Sequence, residues 1–520
     1  MTGHLPGGGR RLSDRQDLCE ALGLPFSAEQ LDAICAPLDS GVIIAGAGTG
    51  KTTVMAARVV WLVGTGAVRP EEVLGLTFTR KAAAELAARV RDSLTRAGVT
   101  QPGRDEGEEV ILTYDAFAAR LVAEHGLRLG LETAPVMIAG AARYRLAIQA
   151  VQAAPGPFER LPRLRPATVA DRVLHLDAAL ASHLVPVEGV REHARWFGSA
   201  LKLAPLNNRG KEYVSVRDAT AALDERLELV GLVEAYRRLK AERGYTEFAD
   251  QLAAAVRLAR EAPAVGEVLR RQFKVVLLDE YQDTSCAQAD LLRELFGAHP
   301  VTAVGDPFQA IYGWRGAASA NIASFAHAFA RPGGAAAASY RLTVNRRSRQ
   351  QILDVANDIG ASLRGAGAAD GSQPGLLRAP RDRDGGTVVA AGFETAAAEL
   401  DWLAETIAEQ GRESGGDWSS TAVLVRRNAD IGGIYEALSD RDIPVEIVGL
   451  GGLLSLSEIT VVLSTLHLLH DITANADLVN LLSGPRWQIG TADLAALGRR
   501  ARQIARQANP KPEEPGLADG

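Results

Sequence analysis

Unbroken apolar runs of strand length alternate with stretches of helical period near the start of the chain. Gly41 to Ala45 is the first such run. It enters a Gly-rich turn and then Thr52 to Leu62, where Val54, Ala57, Val60 and Trp61 recur at helical spacing. Val73 to Phe78 and Val110 to Thr113 repeat the pattern, each followed by a helical stretch, Arg80 to Ala97 and Ala116 to Glu124. Short strands that are apolar on both faces and alternate with helices are the mark of a parallel sheet. The early part of the chain is therefore expected to be α/β.

From about Val122 to Gly244 the strand signal fades. The sequence becomes rich in Ala, Leu and Arg, with prolines at Pro155, Pro157, Pro162, Pro166, Pro186 and Pro205, which predicts a mainly helical insertion. Strand pattern returns at Lys274 to Leu278 and Pro300 to Val304, so the sheet begun near Gly41 should resume there. A Gly/Ala/Asp-rich linker, Gly360 to Gly386, precedes a second alternation. It reads as strand Thr387 to Ala391, helix Ala396 to Gln410, strand Thr421 to Arg426, a helix to Leu438, and strand Val445 to Val448. One helical stretch, Ala492 to Gln507, leads into a polar tail without core-forming residues, and no internal repeat is visible.

Composition narrows the class. At 520 residues, 47% hydrophobic and 23% charged, the chain has length for about three or four domains and an ordinary globular balance. No apolar run approaches the roughly 18 to 20 residues of a membrane span, and the first residues lack the apolar core of a secretory signal. A soluble, cytoplasmic protein is expected. Cys19, Cys35 and Cys286 are too scattered for a disulfide framework, a zinc ribbon or an iron–sulfur cluster. With a formal net charge of −6, any nucleic-acid contact must come from a local basic surface.

The candidate chemistry begins at Ala45-Gly46-Ala47-Gly48-Thr49-Gly50-Lys51-Thr52, placed between a strand and a helix as a phosphate loop requires. Glycines let backbone amides turn toward phosphates, Lys51 can reach the β and γ groups, and Thr52 offers a hydroxyl to Mg²⁺. The first glycine of the usual pattern is Ala45 here. A dinucleotide loop would need glycine where Lys51 stands, and a purely structural turn leaves Lys51-Thr52 without a reason. The partner is Val275-Val276-Leu277-Leu278-Asp279-Glu280, a buried strand ending in two acids. Asp279 can hold Mg²⁺, and Glu280 can orient or deprotonate an attacking water. Acids at a strand end are often merely solvated; the phosphate loop changes that reading.

Asp279-Glu280-Tyr281-Gln282-Asp283-Thr284-Ser285, followed by Gln288, resembles the DEFQDT box of the UvrD/Rep/PcrA group of superfamily 1A DNA helicases. Further stretches agree in the family's order. Phe26 to Gln30 is similar to its Q motif, Thr77 to Ala83 to its TFTNKAA box, and Gly305 to Ala317 to its GDxxQxIYxWRGA box. Leu342 to Ser348 resembles LxxNYRS, and Thr421 to Gly449 the opening of the second motor domain. Met55 to Val63 and Leu74 to Ala83 look most like AdnB-type subunits of actinobacterial helicase-nucleases, which implies a second helicase-nuclease subunit as partner.

The resemblance implies an α/β fold: a P-loop (RecA-like) parallel-sheet motor domain with a helical insertion, plus an incomplete second RecA-like domain. Its boundaries would be a disordered tail over 1–22, the first motor domain over 23–120 and 245–340, and the insertion over 121–244. The start of the second motor domain would occupy 341–485, with the start of its own insertion and a tail over 486–520. It implies ATP and Mg²⁺ as cofactors and a 3′-to-5′ DNA helicase or translocase acting in repair or recombination. Lys51, Asp279, Glu280, Gln309 and Arg347 would be catalytic, with Thr52 and Asp279 holding metal. Gln30, Ala45, Gly46, Ala47, Gly48, Thr49, Gly50, Lys51, Thr52 and Arg346 would bind nucleotide. Gln30 would read adenine by resemblance, although Ser27-x-x-Gln30 is also a helix capping box. Arg346 stands where the family has a tyrosine that stacks on the base; a guanidinium can do so too.

Single-stranded DNA and its junctions with duplex are the implied partner. Stacked bases need aromatic platforms, and aromatic residues at such positions are otherwise usually core. The implied DNA-binding residues are Phe78, Tyr312 and Trp314 as platforms, with Thr77, Thr79, Arg80, Lys81, Tyr114 and Arg315 near the phosphodiester path or the relay between ATP and DNA. Glu247 to Asp250 resembles the family's DF-x-DL segment and reads as structural. The TxHxxKGLE box and an arginine-bearing box are not found after Gly484 to Gly490. An arginine finger can be worth about 10³ to 10⁵ in rate. The alternative to an active helicase is therefore a truncated or regulatory fragment that binds ATP and single-stranded DNA.

Overall fold

The computed structural model describes residues 9–100, 109–131, 135–313, 316–318, 320–331, 333–364, 373–448 and 457–508, apart from the side chains of 162, 457, 505, 506 and 508. The chain forms two compact units, Met1–Val388 and Val389–Gly520.

The first unit is built on a six-stranded parallel sheet of order β3-β2-β6-β7-β1-β8. Its strands are β1 (Gly41–Ala45), β2 (Val73–Thr77), β3 (Val110–Thr113), β6 (Val275–Leu278), β7 (Val301–Gly305) and β8 (Ala338–Leu342); the short pair β4 (Val136–Met137) and β5 (Tyr245–Thr246) stands apart. β1, β2, β6 and β7 are buried along their whole length, as their unbroken apolar runs require of strands covered on both faces.

One face is covered by α1 (Arg15–Leu22), α2 (Ala28–Ile34), α3 (Lys51–Gly64) and α4 (Arg80–Arg96), which share a core with Ile43, Val275 and Val304. The other carries α5 (Tyr114–His125), and α10 (Phe248–Glu261), α11 (Pro263–Gln272), α12 (Cys286–Phe296) and α13 (Ala320–Ala328) reached after the insertion.

The insertion is helical, as its composition predicts. α6 (Gly140–Ala153), α7 (Pro166–Ser182), α8 (Val187–Lys202) and α9 (Val214–Glu242) surround Leu146, Val173, Leu232 and Tyr236. Its return to the sheet is fixed by a buried ionic cluster. Lys240 donates to Asp177 at 3.1 Å, Glu247 at 2.9 Å and Asp250 at 2.8 Å, while Arg143 pairs with Glu247. The Glu247–Asp250 segment thereby ties the start of α10 to the helices of the insertion.

Three expectations need correction. Residues of the supposed N-terminal tail are structured: Asp14 caps α1, and Leu12 and Leu18 are buried against α3 and α4. Leu12, Leu18, Ala21 and Leu22 form an apolar stripe too short to stand out beside the Gly- and Arg-rich start. The first unit also extends past residue 340. Thr343 donates to the Glu29 carboxylate from both its amide and its hydroxyl, at 2.8 and 2.7 Å, so the following loop and α14 (Gln350–Ala361) belong with the first sheet.

The third correction lies at and beyond the boundary. Segments 387–391, 421–426 and 445–448 form no β-ladder among the described residues. An extended segment becomes a strand only when neighbours take up its amides and carbonyls. Leu424 and Val448 stand 94% and 90% exposed. The helices of the second unit match the sequence pattern: α15 (Ala396–Glu413) and α16 (Ile431–Ser439) pack through Ile407, Leu438 and Ile443. α17 (Ser457–His470), α18 (Asn475–Ser483) and α19 (Thr491–Ala508) follow. Among the described residues no helix is long and apolar enough to cross a membrane.

Candidate functional site

β1 delivers the chain to the carboxyl edge of the sheet, where ligands bind in open α/β folds. Residues 46–50 then turn back into α3 with Gly48 at φ 68° and Gly50 at φ 86°, left-handed values that glycine adopts without strain. The Thr49 hydroxyl closes the turn onto the Gly46 carbonyl at 2.8 Å. Lys51 and Thr52 open α3, whose first amides and dipole favour an anion at this end. Gly48 has a second constraint: a Cβ there would lie 2.5 Å from Asn345 Nδ2 and 2.8 Å from Arg347 Cβ.

That close approach belongs to the loop after β8. Asn345, 1% exposed, donates from Nδ2 to the Ala47 carbonyl at 2.6 Å. Its Oδ1 accepts from the amides of Arg347 and Ser348, both at 2.8 Å. The Arg346 amide donates to the Gly48 carbonyl at 2.9 Å. The side chains of Arg346 and Arg347 are thus set beside the phosphate loop while remaining exposed.

α2 reaches the same loop from the opposite side. Ser27 and Gln30 form the reciprocal capping box, and Gln30 Nε2 also donates to the Thr49 carbonyl at 3.0 Å. Arg346 comes within 3.4 Å of Gln30 Oε1 and donates to the Pro25 carbonyl. The cap is real, and the same amide braces the phosphate loop. Arg58, 1% exposed, holds the far end of α2. Its guanidinium donates to the carbonyls of Ala33, Ile34, Ala36 and Pro37 and to the Thr302 hydroxyl.

The acid pair stands at the end of β6. Asp279 is 5% exposed; its Oδ2 accepts from Thr77 Oγ1 at 3.2 Å, whereas its Oδ1 is buried with no hydrogen-bond partner. Burial, then the neighbouring Glu280 charge, push its carboxyl up to about 6 against the opposing pull of Lys51 and the Thr77 bond. An unpaired buried carboxylate oxygen costs energy unless a cation meets it. With Thr52 in the first turn of α3, the donor set fits a hard divalent cation that carries substrate phosphates.

Glu280 Oε2 lies 3.4 Å from Lys51 Nζ and accepts from Gln282 Nε2 at 2.8 Å. Gln282, 1% exposed, passes the connection on, its Oε1 accepting from the Asp306 amide at 3.0 Å. Gln309 Nε2 donates to Asp306 Oδ2 at 2.7 Å. The network Lys51–Glu280–Gln282–Asp306–Gln309 therefore joins the ends of α3, β6 and β7. Gly305 is required by it, because a Cβ there would lie 2.4 Å from Gln282 Oε1.

Gln282 and Asn345 carry no role in the sequence reading, although both stand inside its boxes. The signal available was chemical: an uncharged amide in a run whose other residues are acids, hydroxyls or cations is suited to bridging.

Phe78 and Tyr312 are half-buried and stack on each other with centroids 4.6 Å apart and planes 27° from parallel. Thr79 caps α4 by accepting from the Ala82 amide, and Thr79, Arg80 and Lys81 are exposed beside this pair. Trp314 and Arg315 lie outside the described residues. Thr77 and Tyr114 do not join this exposed face as DNA contacts. Thr77 is 0% and Tyr114 3% exposed; the first binds the Asp279 carboxylate and the second donates its hydroxyl to the Asp279 carbonyl at 2.9 Å. Both face the acid pair, because the pleat of β2 turns alternate residues to opposite sides and the ring at the start of α5 turns into the core.

The described fold agrees with the comparisons to known proteins. A model of the UvrD/REP helicase N-terminal domain matches residues 26–330, and one of the UvrD-like helicase C-terminal domain matches residues 340–508. The chain is 28% identical over 489 residues to DNA helicase II of Haemophilus influenzae and 27% over 486 to that of Escherichia coli, covering 92% of this chain and 59% of each relative. It is 28% identical over 486 residues to the ATP-dependent DNA helicase UvrD2 of Mycobacterium tuberculosis, covering 91% of this chain and 62% of that protein. The chain thus spans less than two thirds of the length of these relatives. On the domain match, carried by a parallel-sheet unit with the phosphate loop and acid pair in register, the chain belongs to the UvrD/REP helicase family.

Proposed function

We propose that the chain acts as an ATP-dependent DNA helicase, moving 3′ to 5′ along single-stranded DNA in repair or recombination. The observation that carries this reading is the meeting of Lys51, followed in α3 by Thr52, with the Asp279–Glu280 pair at one edge of the sheet, where Thr77 binds Asp279 and is one peptide bond from Phe78 of the Phe78–Tyr312 stack. Relatives named as DNA helicases support the helicase part of this reading.

ATP would lie with its phosphates over residues 46–52 and its base toward Gln30 and Arg346. Mg²⁺, held by Thr52 and Asp279 Oδ1, would neutralise charge on the phosphate oxygens. Lys51 supplies a second positive charge, and Glu280 orients the attacking water and takes its proton. Arg347, beside Gly48, and Gln309, joined to Lys51 through Asp306, Gln282 and Glu280, would respond to the γ-phosphate. Phe78 and Tyr312 offer ring faces to bases without reading sequence.

Single-stranded DNA should stimulate ATP hydrolysis by the 520-residue chain, and duplexes with a 3′ single-stranded tail should be unwound in preference to those with a 5′ tail. Nucleotide binding without stimulation by DNA would sink the helicase reading in favour of a non-cycling binding role. Phe78→Ala removes one ring of the stack and should weaken single-stranded DNA binding by about 1 to 3 kcal/mol, read by fluorescence anisotropy, with ATP affinity unchanged. Unaltered DNA affinity would remove this pair from the interface.

A further inference from the structure

Of the non-glycine residues with positive φ among the described residues, Leu184, Glu280, Asp442 and Gln488, only Glu280 lies in the nucleotide site. Its backbone is left-handed, φ 48° and ψ 44°, a conformation that glycine accepts and glutamate resists. Strain of this kind persists only where the surroundings over-determine it. The φ torsion turns about the bond from the Glu280 Cα to the nitrogen of the Asp279–Glu280 peptide, so whatever fixes that peptide plane fixes the reference from which Glu280 is aimed.

One contact holds that plane itself, and others hold the peptides on either side of it. Upstream, the Asp279 amide donates to the Leu76 carbonyl at 2.8 Å, and the carbonyl of the critical peptide accepts the Tyr114 hydroxyl at 2.9 Å. Downstream, the Glu280 carbonyl accepts from the Asp283 amide at 2.9 Å. The Tyr114 ring packs with Phe117, Leu76 and Tyr281 in the sheet core, a task phenylalanine would perform equally well. Only the hydroxyl reaches the acid pair. Burial, followed by the Asp279 charge, holds the phenol far above its ordinary ionisation range, so it is a donor at every working pH.

We propose that Tyr114 is a positioning residue for Glu280: its hydroxyl pins the Asp279–Glu280 peptide so that the left-handed turn directs the Glu280 carboxylate to Lys51 and to the water that attacks the nucleotide. This rests on the proposed ATP hydrolysis. It also gives Tyr114 a place in the mechanism remote from DNA.

Tyr114→Phe removes one oxygen and leaves the packing. We expect kcat to fall about tenfold, with KM for ATP, the Mg²⁺ requirement and ADP affinity within twofold. Tyr236→Phe removes a buried hydroxyl of the insertion that donates to Glu247 at 2.6 Å, and should lower stability without changing kcat. In crystal structures of wild type and Tyr114→Phe, residue 280 should leave the left-handed region and its carboxylate should move off Lys51. An unchanged φ near +48°, or an unchanged kcat, would overturn the proposal.

A thermal-stability cycle reads the same coupling without turnover or crystals. The midpoint loss caused by Tyr114→Phe should shrink at least by half in the Glu280→Gly background, where the turn needs no restraint; equal losses in both backgrounds would refute it. If the wild-type chain hydrolyses no ATP, the functional reading fails, and the cycle and the structures still decide the role of Tyr114.

Discussion

Lys51→Ala is expected to cut DNA-stimulated ATP hydrolysis by at least about 10³-fold, in line with the loss of a charge aimed at a transferring phosphoryl group. The side chain is 12% exposed and sits 3.4 Å from Glu280 Oε2, so in the proposed reaction it would serve two anions, the acid pair and the phosphates. Taking it away leaves Asp279 and Glu280 adjacent without a cation. Burial and the Glu280 charge already raise Asp279, and the loss of Lys51 raises it further. Lys51→Arg preserves charge but brings a wide planar head into a turn closed by Thr49 and Gly46, and should recover little activity. Steady-state hydrolysis with and without single-stranded DNA measures both variants. Activity within tenfold of wild type in Lys51→Ala would move the reaction away from this loop.

The site was legible where residue type and function coincide. Lys51, Thr52, Asp279 and Glu280 are chemically distinctive and sit in short boxes at strand ends, so their convergence follows once the strands are known to be parallel. What the sequence concealed was direction. Thr77 and Phe78 are neighbours, yet one binds the Asp279 carboxylate and the other stacks on Tyr312. A box read as a unit assigns both to DNA; the pleat of β2 separates them. Tyr114 misleads in the same way, since an aromatic ring beside a strand end reads equally as platform or core until its burial is known.

Organisation was legible to a similar depth. Five mainly apolar runs announced five of the six strands of the sheet, and the fading of strand signal announced the helical insertion. The buried N-terminal stripe of Leu12 and Leu18 was hidden by composition, because a short amphipathic helix contributes few apolar residues to a Gly- and Arg-rich window. In the second unit the helices α15 and α16 were readable from their own period. The three extended segments were not, because strand formation depends on a partner that local sequence does not reveal.

Asp279→Asn should separate stability from activity with opposite signs. In metal-free buffer the Asp279 carboxyl has a folded pKa of about 6, raised from 3.8 chiefly by burial. A raised carboxyl contributes stability that is fully present below about pH 4 and is lost as pH rises through about 6, because the folded state then holds an uncompensated buried charge. The asparagine variant carries no such charge. It keeps an oxygen for the Thr77 hydroxyl, but its amide group has no assured acceptor in place of Oδ1, an unmet donor that offsets part of the gain. At pH 7.5 the variant should therefore be more stable than wild type by about 1 to 2 kcal/mol, and toward pH 4, where only the cost of the unmet amide donor remains, the difference should fall to zero and reverse. Saturating Mg²⁺ and ATP should reverse the order, since only the carboxylate gains a cation and binding adds stability to the state that binds. Hydrolysis by the variant should fall by at least about 10²- to 10³-fold. Melting curves across pH 4 to 8, with and without Mg²⁺ and ATP, carry the test. A variant that is less stable at pH 7.5 in metal-free buffer would show that wild type carries no uncompensated buried charge there, and one that gains as much as wild type from Mg²⁺ and ATP would show that Asp279 Oδ1 is not the cation's ligand.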